Sequence, residues 1–419
     1  ESAAVEQLRE WGISVQIGHT PNLVKQADIV VHTSAVSWGN PEIVSAIVSG
    51  ATIMKRAVML GDLMRQSFSV AIAGTHGKTS TTSMVGMVLN TANLDPTVIV
   101  GGIVKNFGSN NLLGSGKHIV VEADEFDRSF LTLSPIIAGI TNIEADHLDC
   151  YANLDGVKDA FIEYANKVPF FGSIICCLDD VGIQSILPQL HKKVVTYGLS
   201  KQAEIRAENI EMKNFTTKYK LIVNDEKMGE ISLSVAGIHN IQNSLLAVAT
   251  GLELEIPFAA IQKGLTDYQG VFRRFELKGK RDNITLYDDY AHHPTEILAT
   301  LKSVKNNTNK RIVAVFQPHL YSRTQDFYQE FGRSFFQSDV LIITPIFPAR
   351  EKPIDGVSGR LIADIAIQSG HKNVHYVEQN EDIVKKINDL AKTDDIVITI
   401  GAGDIYKFGE LFLKGKNNE

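Results

Sequence analysis

The chain has 419 residues, 44% of them hydrophobic and 21% charged, with a formal net charge of −7. That length suggests two or three domains with ample apolar material for their cores. The acidic balance excludes the basic footprint of a nucleic-acid partner, and no apolar run approaches the ~20 residues that span a bilayer.

The first block, residues 1–66, alternates short apolar runs with helical segments. "ESAAVEQLREWGISVQIG" reads as a helix followed by a strand, and "ADIVVHTSA" as a strand and turn. "NPEIVSAIVSG" reads as a capped helix ending at Gly50. The chain opens on Glu1 rather than Met, and on a helix where an α/β domain more naturally opens on a strand. Upstream residues are therefore expected to be missing, and the lack of a signal peptide carries little weight.

The second block, residues 67–273, opens on the strand "FSVAIAG" and runs into "AGTHGKTSTT". The common phosphate loop, G-x-x-x-x-G-K-[ST], has four residues between its glycines. Here Gly74 and Gly77 enclose only Thr75 and His76. The context nevertheless fits, because a strand precedes the glycines and "KTSTTSMVGMVLNTA" has helical spacing. Glycines let backbone N–H groups approach phosphate oxygens, and a helix N-terminus adds its positive dipole end. Lys78 can reach terminal phosphates, and the Thr79 hydroxyl can ligate Mg²⁺. The expected nucleotide loop is therefore Gly74, Thr75, His76, Gly77, Lys78, Thr79 and Ser80.

The next apolar run, "HIVVEADEFD", puts Glu122 at a strand end, where a Mg²⁺-holding carboxylate sits in phosphate-loop enzymes. Glu122, Asp124, Glu125 and Asp127 crowd together, either as a solvated acidic loop or around a cation. "IAGITNIEADHLDCY" is a strand leading into Asn142, Glu144, Asp146 and His147. His147 is a structural histidine or a metal ligand on this pattern, and both readings stay open. The three cysteines, Cys150, Cys176 and Cys177, make no disulfide framework. "SIICCL" reads as a strand burying small apolar groups, and a cytoplasmic setting fits.

The third block, residues 274–419, returns to strands and helices. "RIVAVFQP", "DVLIITPIF" and "DIVITIGAGD" read as parallel strands buried on both faces. Ligands in such sheets sit beyond the carboxyl ends of the strands, where "FQPHLYSR", "IFPAREKP" and "GAGD" lie. "HHP" is a turn before a helix, with Pro294 at its first position. The tail "KGKNNE" is expected to fray. No G-x-G-x-x-G opens a βαβ unit, which argues against a dinucleotide-dependent oxidoreductase. A nucleotide switch would need only the central block.

"AGTHGKTSTTSM", "VEADEFDRSFLTLSPIIAGITNIEADHLDCY", "GIHNIQNSLLAVA", "FRRFE", "YDDYAHHPTEI" and "FQPHLYSRT" follow one another as in the Mur ligases, and the resemblance covers nearly the whole chain. The short loop is the spelling usual in that superfamily. The resemblance implies three α/β domains. They are an incomplete Rossmann-like UDP-sugar-binding domain (1–66), a central phosphate-loop ATPase with a mostly parallel sheet (67–273), and a Rossmann-like C-terminal amino-acid-binding domain (274–419). It implies ATP and Mg²⁺ as cofactors and a monomer or homodimer. Within the family it is most similar to members that join L-alanine to UDP-N-acetylmuramate.

By the same resemblance Thr79 and Glu122 hold one Mg²⁺ and His147 helps hold a second. Asn240 and Asn243 contact the nucleotide, Arg274 reaches ATP phosphates, and Asp289 contacts the nucleotide from the C-terminal domain. From the residues alone, the two asparagines are a helix cap and a polar helix face, and Arg273 is a surface charge. Tyr290, His292, His319 and Arg323 match residues lining the L-alanine site, with His292 a possible general base. Thr33 and Ser34 belong to what remains of the UDP-sugar site. Two departures stand out: the N-terminal G-x-G-G-x-G stretch is lacking, and Leu320 stands where many relatives carry a basic residue.

Overall fold

The computed structural model describes residues 3–145, 148–349 and 351–415. His147 and most of the tail expected to fray lie outside the described residues. Three sheets organise the chain. The first pairs β1 (Ile29–His32) with β2 (Thr52–Lys55) in parallel. Between them, the helix Pro41–Ser49 starts at Asn40, whose side chain accepts from the Glu42 N–H. It ends at Gly50, whose left-handed φ of 76° releases the chain toward β2. Residues 13–17, expected as a strand, are irregular: they follow the helix Ala3–Glu10 and pair with no strand among the described residues. Trp11, Trp38, Ile47 and Val48 of this region are exposed.

The central sheet has ten strands. In chain order they are β3 (Phe68–Ala73), β4 (Thr97–Val104), β5 (Ser109–Leu112), β6 (His118–Glu122), β7 (Ile137–Ile140), β8 (Ser173–Cys177), β9 (Lys193–Gly198), β10 (Ile205–Lys213), β11 (Thr216–Val223) and β12 (Glu226–Leu233). In space the order is β12-β11-β10-β9-β8-β7-β3-β6-β4-β5. The run from β4 to β10 is parallel, and only β5, β11 and β12 are antiparallel to their neighbours. β3 lies between β6 and β7, so three carboxyl ends open side by side and make the crevice where such sheets bind ligands. The helices Lys78–Thr91 and Ile238–Glu253 pack against this sheet and against each other. Cys176 and Cys177 are buried within β8.

The C-terminal sheet comprises β13 (Glu276–Arg281), β14 (Ile284–Asp289), β15 (Ile312–Phe316), β16 (Val340–Ile343), β17 (Val374–Tyr376) and β18 (Ile396–Ile400), in the order β13-β14-β18-β15-β16-β17. All but β13 run parallel. Along β15, Ile312, Ala314 and Phe316 enter one core while Val313 and Val315 enter the core on the opposite face. Such a strand needs apolar residues at every position, which is why its sequence shows no alternation. No helix among the described residues is long and apolar enough to cross a membrane.

The two large domains also touch away from the cleft. At the tip of the β10–β11 hairpin, Phe215 packs on Phe275 (5.2 Å) and Tyr287 (5.4 Å). Those two rings are themselves stacked 4.3 Å apart. The Phe215 N–H donates to Asn307 Oδ1 at 3.1 Å. The hairpin therefore grips the C-terminal domain where the chain enters it.

Candidate active site

The loop after β3 turns on two glycines. Gly74 has φ +139° and Gly77 φ +84°, both of which L side chains rarely adopt. Residues at the end of β7 brace the loop. Asn142 Oδ1 accepts from the His76 N–H (2.8 Å), Asn142 Nδ2 donates to the His76 carbonyl (3.1 Å), and the Thr141 hydroxyl donates to the same carbonyl (2.5 Å). The helix Lys78–Thr91 begins directly after Gly77, so its unpaired N–H groups face the crevice.

Lys78 Nζ lies in that crevice on a mostly buried side chain. It donates to Glu125 (2.7 and 3.0 Å) and to the carbonyls of Gly74 (2.6 Å) and Thr75 (3.2 Å). Burial alone would depress its amine, but Glu125, with Asp124 and Glu122 behind it, holds it above the ordinary lysine range. The Thr79 hydroxyl donates to Glu122 Oε1 at 2.9 Å, and Glu122 Oε2 accepts from the Gly101 N–H at 2.6 Å. The crowded acids of this loop are thus divided rather than gathered around one point. Glu125 is buried against Lys78, Glu122 faces Thr79, and Asp127 pairs with Lys55 at 3.3 Å.

Two cavities open between the central and C-terminal domains. The smaller, about 430 Å³, holds Lys78, Thr79, Glu122, Arg273, Tyr290 and His292 on its walls. The larger, about 630 Å³, is lined by Ser80, Asn240, Asn243 and Asp289 among others. His76, Gly77, Arg274 and Glu296 line both and form the wall between them. Asn243 is buried behind the loop, where a Cβ on Gly77 would come within 2.7 Å of its Oδ1. Asn240 donates to the Ala236 carbonyl at 2.7 Å, and the helix N-cap is Gly237, so neither asparagine is the expected cap.

From the C-terminal side, β14 delivers Asp288 and Asp289. Asp289 is buried and accepts from the N–H groups of Phe275 (2.7 Å) and Ala291 (2.8 Å), which fixes the turn carrying Tyr290 and His292. Burial pushes its carboxyl up to about 6 against the pull of Arg274. Arg273 is not the surface charge expected from its neighbourhood. It is partly buried, donates to Asp288 Oδ2 (3.0 Å) and the Gly401 carbonyl (2.7 Å), and lies over the Tyr290 and Tyr406 rings. A chain crossing between domains becomes interior once the domains dock, and no local signal in "FRRFE" announces that.

His292 Nδ1 lies 3.1 Å from the Tyr290 carbonyl and 3.3 Å from Glu296 Oε2. Both partners only accept, so Nδ1 carries the proton and Nε2 presents its lone pair. Burial depresses this ring to about 4; Glu296 opposes the shift, and Arg323 and Arg274 reinforce it. Its neighbours are Tyr290, edge-on at 5.3 Å, and His319, at 6.1 Å, whose own ring stacks on Phe347. The structure thus brings Tyr290, His292 and His319 together, with Arg323 acting on the His292 charge, and neither His319 nor Arg323 lines the two cavities. Leu320 sits beside them with a left-handed φ of 71°, its N–H donating to the Phe347 carbonyl. Thr33 and Ser34 lie in the exposed turn after β1 and line neither cavity.

Sequence reasoning missed Glu296, and it listed Glu144 and Glu125 without partners. Glu296 stands three residues after His293, the N-cap of the helix Pro294–Asn307, in capping-box spacing. That spacing was the available signal. His76 lies between Glu144 (Nε2, 3.5 Å) and Glu296 (Nδ1, 3.5 Å). Burial disfavours its charge, but the two carboxylates outweigh burial and push the ring up to about 9. The folded value lies above the ordinary 6.5. The contribution to stability is therefore complete below about pH 6.5 and is lost as pH rises through about 9. The stability gap between the parent and His76→Asn, measured by urea denaturation, is expected to narrow above about pH 9. A gap that stays constant across that range would contradict the pairing.

Models of the Mur ligase family match most of the chain: its catalytic domain over residues 1–68, its middle domain over 72–251, and its glutamate ligase domain over 273–403. The UDP-N-acetylmuramate–L-alanine ligase of Salinibacter ruber is 48% identical, covering 100% of this chain and 88% of that protein. The enzyme of the same name from Geotalea daltonii is 44% identical over 98% of this chain and 90% of its own length. Among solved structures, the UDP-N-acetylmuramate–alanine ligase of Thermotoga maritima superposes with a TM-score of 0.82 at 29% identity, covering 99% of this chain and 91% of that one.

Proposed function

The chain belongs to the Mur ligase family, and on that premise we propose that it joins L-alanine to the carboxylate of UDP-N-acetylmuramate at the expense of ATP, in peptidoglycan precursor synthesis. The observation that carries this reading is the convergence of the phosphate loop, Arg274 and the neutral His292 on one cleft between two domains. A carboxylate is a poor electrophile. In the reaction its oxygen attacks the γ-phosphorus, ADP leaves, and the resulting acyl phosphate has a good leaving group. The alanine nitrogen then adds to the carbonyl carbon, and inorganic phosphate departs from the tetrahedral intermediate.

Each part of the cleft answers one demand of that chemistry. Lys78 and Arg274 supply positive charge for phosphate oxygens, and Gly77 with the helix N-terminus supplies backbone donors. Nucleotide binding requires Lys78 to exchange Glu125 for phosphate. Asn240 and Asn243 line the larger cavity and hold the nucleoside. His292 Nε2 takes the proton of the incoming ammonium, consistent with a ring that is neutral near pH 7. Tyr290, His319 and Arg323 surround the amino acid, with the Arg323 fork suited to its carboxylate.

The Thr79 hydroxyl and the Glu122 carboxylate offer hard oxygen donors 2.9 Å apart, a set that suits Mg²⁺. These two residues would hold it, where it neutralises phosphate charge when bound. His147 belongs to the same proposal by resemblance only. Thr33 and Ser34 would serve the UDP-sugar end.

Phosphate release from ATP tests the assignment. Release is expected only when UDP-N-acetylmuramate and L-alanine are both present. Turnover with a murein tripeptide or glutamate in place of alanine, and none with alanine, would replace this reading with that of another ligase.

A further inference from the structure

The wall shared by the two cavities contains one acidic side chain, Glu296. If the nucleoside occupies the larger cavity and the reacting carboxylate the smaller, the ATP phosphates pass this wall. Glu296 is mostly buried, its side chain 11% exposed, and it uses its two oxygens for different purposes. Oε2 accepts from the N–H groups of His292 (2.9 Å) and His293 (3.3 Å). Oε1 faces the other way, 3.4 Å from Arg274 Nη1 and 3.5 Å from His76 Nδ1. Beside it, the Thr295 hydroxyl donates to Glu144 Oε2 at 2.9 Å, and Glu144 reaches the far side of the same His76 ring.

A capping-box glutamate needs only its contact with the N-cap backbone. The cation contacts of Oε1 are in excess of that role, and together with the contacts of Oε2 they connect residues from three places in the chain. His76 comes from the phosphate loop, Arg274 from the interdomain crossing, and His292 from the C-terminal turn. Two flexible or rotatable cations at a phosphate path need a fixed counter-charge to hold their orientation before the ligand arrives.

We propose that Glu296 is a positioning residue of the ligase, which holds Arg274 and His76 toward the path of the ATP phosphates and ties them to the backbone presenting His292. The inference rests on the ligase reading above. It differs from simple helix capping in what a glutamine would do. Glutamine is itself a capping-box residue, so Glu296→Gln keeps the cap and the side-chain volume. It removes the charge that faces Arg274 and His76.

The test compares the parent, Glu296→Gln and Glu296→Asp in full chain form. Glu296→Gln is expected to keep the fold, with a melting temperature lowered by the lost ion pairs to Arg274 and His76. Its kcat/KM for ATP should fall by about tenfold to a hundredfold, the loss of one charge-assisted contact. The KM for L-alanine should stay put. Binding of a non-hydrolysable ATP analogue, measured by calorimetry with Mg²⁺, should weaken in parallel. Glu296→Asp, which keeps the charge on a shorter stem, should recover part of both. Unchanged or tighter analogue binding in Glu296→Gln would overturn the proposal. So would equal losses for ATP and L-alanine, which is the signature of a general disturbance of the fold. Analogue binding needs neither sugar nor amino acid, so a parent that binds ATP but fails to join alanine would sink the ligase reading and leave this result separately readable.

Discussion

Lys78→Ala is expected to lower kcat by about a hundredfold to a thousandfold, the loss found when one preorganised donor to developing charge is removed. The same substitution should destabilise the fold. Lys78 and Glu125 form a buried pair, with side chains 14% and 3% exposed. Removing one partner strands the other as a buried charge, at a cost of about 3–5 kcal/mol. The two effects can be separated. Lys78→Met combined with Glu125→Gln leaves no stranded charge, so most of the stability should return while turnover does not. Chemical denaturation and single-turnover phosphate release on the single and double variants read the two quantities. A double variant that regains activity along with stability would show that Lys78 acts only as a structural ion-pair partner.

Gly74→Ala should have an effect of similar size through a different cause. A Cβ at Gly74 would lie 1.9 Å from Thr141 Oγ1 and 3.0 and 3.1 Å from the backbone nitrogens of Thr141 and Asn142. A hydroxyl can rotate away, but the end of β7 cannot move without breaking its pairing with β3. The φ of +139° adds strain for any L side chain. Together these should cost about 3 kcal/mol or more, since overpacking and backbone strain each contribute 1–3. Because Thr141 and Asn142 hold His76, the displacement would open the phosphate loop, and nucleotide binding should fall with stability. Gly108→Ala serves as a control: its φ of +63° is also left-handed, but no atom lies within 4 Å of its Cβ. It should lose only the strain component. Equal losses at the two sites would contradict the steric account.

The parts of this site that were legible in the sequence are those written contiguously. A strand, two close glycines and a helix start place Lys78 and Thr79, and a strand end places Glu122. Apolar runs without alternation marked the buried strands β15, β16 and β18, because a strand covered on both faces leaves no polar positions to read. What escaped depends on docking. The partner of Lys78 is 47 residues away. Arg273 looks like a surface charge until the C-terminal domain supplies Asp288 and two aromatic rings. His76 reads only as part of the nucleotide loop, whereas its charge is set by Glu144 and Glu296 from different domains. Residues 13–17 failed in the opposite sense: they favour a strand, but among the described residues they pair with none.

In the proposed reaction this cleft activates a sugar-linked carboxylate by transferring phosphate to its oxygen. UDP-N-acetylmuramate carrying heavy oxygen in that carboxylate tests it most directly. The enzyme would be given ATP, Mg²⁺ and L-alanine, and the released inorganic phosphate analysed by mass. One heavy oxygen in the phosphate, with UDP-N-acetylmuramoyl-L-alanine formed in equal amount, is the predicted result. Phosphate released without the label, or released in the absence of the sugar, would contradict that transfer and leave the cleft a nucleotide hydrolase.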